Sequence, residues 1–254
     1  MNFVKDSKYQ QFANLSFEDF RRMAADESLS SCEKAGFPDS YRKGKEQSIL
    51  EAILAALPLL AQTHKVVLDI GPGCSELALL LIDLCRKNDH TLLLVDSEEV
   101  LSHLPDESFM KKFSAYYPNC DSLRQDYRGK VNVILTYSVL HYVFTEGNLW
   151  DFLDSSLELL AEGGEMLIGD IPNVSKRKRF FCSRQGIKFH QEFTGAQNLP
   201  EVNFNHIQRH LIDDSVILSL LTRARNQGFD AYVFPQRNDL PMANRREDIL
   251  IRRP

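Results

Sequence analysis

Asp69-Ile70-Gly71-Pro72-Gly73-Cys74-Ser75-Glu76 places a carboxylate, two glycines and the polar opening of a helix within eight residues. Glycine lets a backbone turn tightly and approach a ligand closely, and the helix that follows offers free N–H groups. Residues 65–70 in front of it form a short, branched apolar run that reads as a strand buried on both faces. A second such run, residues 91–95, ends at Asp96, whose carboxylate is placed to accept hydrogen bonds from the two hydroxyls of a ribose. In doubly wound sheets ligands bind beyond the carboxyl ends of the strands, where strand order reverses. The plainer alternative is a tight strand–helix turn with an acidic cap.

A dinucleotide fingerprint wants a third glycine in G-x-G-x-x-G, and Glu76 stands there instead. A carboxylate at that point would repel a pyrophosphate, which argues against NAD or FAD and against an oxidoreductase. A phosphate-free ligand with a cationic centre suits the turn better.

The elements that position these residues alternate in type. Ser16 followed by Asp19 marks a capping box opening a helix to about residue 23. Residues 32–45 carry Gly36, Pro38 and Gly44 and read as loop. Helical spacing of Ile49, Leu50, Ile53, Leu54, Leu57 and Leu60 predicts a helix over 46–60, bent or ended at Pro58. Helices are predicted over 75–87, 98–104, 150–161 (closed by Gly163-Gly164) and 213–227. Strands are predicted over 65–70, 91–95, 110–117, 131–136 and 165–169, with two more near 230–234 and 248–252. Alternating strands and helices imply a parallel sheet with right-handed crossovers, and the final strand pair, with no helix between, an antiparallel hairpin. The fold class expected is therefore α/β: a doubly wound, mostly parallel seven-stranded sheet with a C-terminal antiparallel hairpin. A helical extension over 1–62 precedes a main domain over 63–254, interrupted by an insertion over 171–211.

The chain has 254 residues, 43% hydrophobic and 26% charged, which is enough to bury a core without disulfide or metal staples. Five scattered cysteines form no C-x-x-C pair, so neither a disulfide framework nor a zinc site is expected, and a reducing cytoplasm fits best. No signal-like or spanning apolar stretch is read, so no membrane partner is expected. A net charge of −5 gives no drive toward nucleic acid.

With these residues in view, the chain over about 65–254 resembles the class I S-adenosylmethionine-dependent methyltransferases. The carriers are Val66-Val67-Leu68-Asp69-Ile70-Gly71-Pro72-Gly73, Leu93-Leu94-Val95-Asp96, residues 133–142 and Gly163-Gly164-Glu165-Met166-Leu167-Ile168-Gly169-Asp170. The resemblance implies S-adenosylmethionine as cofactor. It puts Gly71 and Gly73 beside the aminoacyl part with Asp69 in support, and Asp96 with Ser97 at the ribose. It also places Asp121 and Ser122 near the adenine, and Tyr137 and Ser138 at the methyl-transfer centre. Ser75 departs from the family where many members have another glycine.

An oxygen or nitrogen acceptor can need a general base, and His141 is the best candidate, with Tyr142 and Asp170 behind it. The alternative for His141 is packing behind the fourth strand. Tyr137, not an acid, ends that strand, so no metal site is expected there; His206 and His210 could share a helix face but lack an H-E-x-x-H context. Lys176-Arg177-Lys178-Arg179 could grip a phosphate or form a solvated face. Phe180, Phe181, Phe189, Phe193 and Phe204 of the insertion, with Phe37, Tyr41 and Lys43, form either an acceptor lid or ordinary core. The function expected is methyl transfer to a small polar acceptor such as a sugar or sugar nucleotide; the alternative is a cofactor-binding regulatory or partner subunit without transfer activity. The oligomeric state is not encoded in any feature read here.

Overall fold

A computed structural model describes residue 12 and residues 15–206 and 208–254. Seven strands form one sheet in the order β3-β2-β1-β4-β5-β7-β6. They are β1 (Val66–Ile70), β2 (Thr91–Asp96), β3 (Met110–Ser114), β4 (Val131–Tyr137), β5 (Leu160–Pro172), β6 (Asp230–Phe234) and β7 (Arg246–Arg252). The pairs among β3, β2, β1, β4 and β5 are parallel, while β7 runs antiparallel between β5 and β6. The expected α/β architecture with its antiparallel close is what is observed.

The sheet is buried on both sides, and its side chains alternate between two cores as pleating requires. Leu68, Leu93, Ile134, Ile168 and Ile249 face one apolar cluster, and Val67, Leu94, Leu135, Leu167 and Leu250 face the other. Fully burying one such side chain contributes about 1.5–3 kcal/mol, which is why the central strands β1, β2 and β4 read as apolar runs.

The helices are α1 (Phe17–Ala25), α2 (Ser31–Lys34), α3 (Asp39–Arg42), α4 (Glu46–Ala56), α5 (Glu76–Lys87), α6 (Glu98–Leu101), α7 (Asp121–Tyr127), α8 (Leu140–Glu146), α9 (Leu149–Leu159), α10 (Val174–Phe181), α11 (Arg184–Thr194) and α12 (Asp214–Asn226). The Ser16–Asp19 capping box is formed. Pro58 opens a short 3-10 turn, Pro58–Ala61, and Ile49, Ile53, Leu57 and Leu60 pack in the same cluster as Leu81 and Leu92. Helix α4 thus shares the core of the sheet.

Several boundaries differ from expectation. The stretch read as loop over 32–45 contains α2 and α3; Ser30 and Glu33 make a second capping box that starts α2. Helix α9 ends at Leu159, before the two glycines. Gly163 and Gly164 belong to β5, where Gly163 N donates to Arg253 O at 3.1 Å. His206 and His210 lie outside any helix, and His210 has φ +62°, so the two share no helix face. Among the described residues no helix is long and apolar enough to cross a membrane.

Candidate active site

Strand order reverses between β1 and β4, and the crevice at their carboxyl ends is the place where doubly wound sheets take ligands. A cavity lies there. Its floor holds Asp69, Gly71, Gly73 and Asp96, and its far side holds Tyr137, Ser138 and Val139. Gly71 and Gly73 have φ +71° and +63°, in the left-handed region that favours glycine. A Cβ on Gly71 would also come within 2.7 Å of Val139 Cγ2, so the turn and the β4 end touch closely.

Asp96 ends β2 and braces the turn: its Oδ2 accepts from Gly73 N at 3.3 Å and its Oδ1 from Ser97 N at 2.7 Å. Burial pushes its carboxyl up to about 6, against those two backbone donors, which lower it. Asp69 is buried with no hydrogen bond or ion pair among the described residues, and burial with the nearby Asp96 pushes it up to about 8. Ser75, where the resemblance leads one to expect glycine, has extended backbone (φ −88°, ψ 173°) that any residue adopts. Glu76 is exposed at the first turn of α5 and outside the cavity lining, so the repulsion argued against a pyrophosphate does not act inside the cavity.

Three expected site residues lie elsewhere. Asp121 and Ser122 are exposed at the start of α7 and do not line the cavity. Strand β3 stops at Ser114, earlier than read, and Ala115, Tyr116 and Tyr117 take the wall beside Asp96. Ser97 supports Asp96 through its N–H but turns its hydroxyl to Val100 N, 3.3 Å away, as the N-cap of α6.

Tyr137 and Ser138 do reach the cavity. Ser138 has φ +63°, and its hydroxyl donates to Asp170, near the end of adjacent β5. Asp170 is held by Arg246 at 2.8 Å, and its N–H donates to Asp248 at 2.7 Å. Burial, with Asp170 and Asp248 nearby, pushes the Tyr137 hydroxyl well above its ordinary range. His141 is not among the lining residues. Its Nδ1 is buried without a hydrogen-bond partner, its ring centre lies 3.8 Å from that of Tyr142 with the planes tilted by 43°, and burial drops its pKa to about 3. The imidazole is therefore neutral and a weak base, and the geometry favours packing. Tyr142, pushed up to about 12 by burial, lines the cavity in its place.

The N-terminal segment forms the roof. Phe17 meets Tyr116 edge-on at 4.9 Å, and Phe20 meets Tyr142 at 4.9 Å. Phe17 N donates to Glu146 at 3.1 Å, and Arg21 forks onto Glu99. Lys34, Phe37 and Arg42 complete the lining, whereas Lys43 points to solvent. Sequence reasoning named Phe37 but missed Arg42, whose signal was only a cation among turn residues. The aromatics of the insertion pack on one another between α10 and α11 instead: Phe180, Phe181, Phe189 and Phe193 form successive ring contacts. The basic run is likewise absorbed into structure. Arg179 pairs with Asp214, and Lys176 and Lys178 donate to the carbonyls of Arg246 and His206.

No protein-family model and no curated protein matches the sequence. Solved structures do match. The plantazolicin methyltransferase BamL, in complex with a desmethylPZN analog and SAH, is 12% identical at a TM-score of 0.56, over 96% of this chain and 97% of that one. The CurJ carbon methyltransferase is 15% identical at 0.52, over 97% of this chain and 68% of that one. The methyltransferase domain of bacterial CtHen1-C is 15% identical at 0.52, over 82% and 97%. Identities this low speak to architecture alone, and the architecture of this chain is the one those methyltransferases share.

Proposed function

We propose that the chain is an S-adenosylmethionine-dependent methyltransferase acting on a small polar acceptor held beneath the N-terminal roof. The observation that supports this is the convergence of the glycine turn, Asp96 and the Tyr137–Ser138 strand end on one cavity at the point where strand order reverses. The residues fit a nucleoside with a cationic tail. Asp96 keeps carboxylate lone pairs for ribose hydroxyls, the bare Cα atoms of Gly71 and Gly73 admit close approach, and a cation bound beside buried Asp69, whose carboxyl is otherwise pushed up to about 8, would draw it into the charged form. When bound, the cofactor supplies an electrophilic methyl group on a sulfonium.

The protein's own part is placement. Displacement at a methyl carbon is in line, so orientation supplies much of the acceleration. Asp96 and the glycine turn hold one end, Tyr137 and Ser138 face the other, and Phe17, Phe20, Tyr116 and Tyr142 keep water out.

Thermal unfolding with S-adenosylmethionine, S-adenosylhomocysteine or NAD tests the reading. At about 100 times its dissociation constant a ligand adds roughly 2.7 kcal/mol, or about 5–10 °C in midpoint for a domain of this size. A shift with the first two and none with NAD supports the reading; no shift with either sinks it. Formation of S-adenosylhomocysteine over a panel of small acceptors then separates an enzyme from a binding subunit.

A further inference from the structure

Arg42 ends α3 and is 7% exposed, yet no described carboxylate forms an ion pair with it. Its Nε is buried without a hydrogen-bond partner, and its Nη1 makes one long contact, 3.4 Å to Ser138 Oγ. The guanidinium lies 4.8 Å from the centre of the Phe37 ring and 5.5 Å from that of Tyr137. Glu46, one turn further along, is buried too, but one of its oxygens takes the Cys32 thiol at 3.7 Å and the other has no partner. Arg246 shows the contrast: it is matched to Asp170 at 2.8 Å. A guanidinium carries five donors in a flat fork suited to the two oxygens of a carboxylate, and leaving such donors unpaired away from water is unfavourable.

Its position says which end of the cavity it serves. Lys34 is the cation by the glycine turn, close enough to act on the Cys74 thiol. Arg42 stands instead against the β4 end, at Tyr137 and Ser138, and also lines a smaller adjoining cavity with Phe37, Ile49, Tyr137, Asp170 and Met242. Flat aromatic walls and a fork-shaped cation together describe one ligand class. Resting on the methyltransferase reading, we propose that the acceptor is an aryl carboxylate whose carboxylate is bound by Arg42, and that Arg42 sets acceptor choice.

The test uses benzoate and benzamide as probes, titrated calorimetrically into the full chain saturated with S-adenosylhomocysteine. Benzoate should bind about ten- to hundredfold more tightly than benzamide, as loss of a charge-assisted bond predicts. Arg42→Gln should erase that preference and Arg42→Lys should keep part of it, both with unchanged affinity for S-adenosylhomocysteine. Equal binding of the two probes, no benzoate binding at millimolar concentration, or a preference that survives in Arg42→Gln overturns the proposal. So does a variant that weakens S-adenosylhomocysteine but spares 5′-methylthioadenosine, because Arg42 would then serve the carboxylate of the nucleoside ligand. Should Arg42→Gln fail to fold, the wild-type pair and Arg42→Lys decide. If the wild type binds no S-adenosylhomocysteine, the methyltransferase reading fails by itself, and the same two probes on the unliganded chain still report on Arg42.

Discussion

Asp69→Asn should make the protein more stable, and increasingly so as pH rises. Asp69 sits in β1 between Leu94 of β2 and Leu135 of β4, 5% exposed, with no hydrogen bond or ion pair among the described residues. Burial, reinforced by Asp96, lifts its carboxyl from 3.8 to about 8. Between those values the folded chain keeps a proton that the unfolded chain has lost. Unfolding then releases a proton, so stability falls as pH rises through this window, at about 1.4 kcal/mol per pH unit. From pH 5 to pH 7 the loss is about 2.7 kcal/mol, and asparagine, of the same shape and never charged, is free of it. The gap in thermal midpoint between variant and wild type should widen by about 5–10 °C over those two pH units. Calorimetric scans at pH 5, 6 and 7 measure it. A gap that stays constant with pH would mean that Asp69 ionises as it does in water, and the claim of a desolvated carboxylate would fall.

Asp96→Ala should weaken S-adenosylhomocysteine about ten- to hundredfold, as loss of hydrogen bonds to a charged acceptor does, while circular dichroism stays unchanged; equal affinity would remove the ribose assignment. Gly71→Ala should cost about 1–3 kcal/mol in urea unfolding, from its positive φ and the meeting with Val139, and Val139→Ala should recover part of the loss. His141→Phe should retain turnover within about threefold, since a weakly basic ring outside the cavity lining cannot take the acceptor's proton; a loss of about 10²–10⁴ would restore it as general base.

Strands β1, β2 and β4 were legible because each is buried on both faces and reads as a continuous apolar run. The glycine turn was legible because its chemistry is local. Helices α2 and α3 were not, since two four-residue helices among Gly36, Pro38 and Gly44 carry too few periods to show. Asp121 and Ser122 were misplaced for a related reason: β3 has a half-exposed pattern, so its end could not be read and everything counted from it slipped. Arg42 fell within the stretch read as loop, with nothing in the sequence to single it out. Its burial comes from Phe37 in its own segment and from Tyr137 nearly a hundred positions later, a coincidence only the folded chain reveals.

Ser138 follows β4 and Asp170 lies near the end of neighbouring β5, and both are non-glycine residues at positive φ, +63° and +59°. Such backbone costs about 1–3 kcal/mol at each position. It is held by the Ser138–Asp170 hydrogen bond, by Arg246 and by Asp248. Glycine at either place would relieve the backbone and delete a member of the network in the same stroke. Selection for heat resistance alone would not remove Asp170, because Arg246 would then be left buried without its partner at a cost of about 3–5 kcal/mol, more than the relieved backbone returns. Ser138, Asp170 and Arg246 are thereby locked to one another: a change at one is tolerated only with a matching change at its partners, so the three should vary as a unit or not at all.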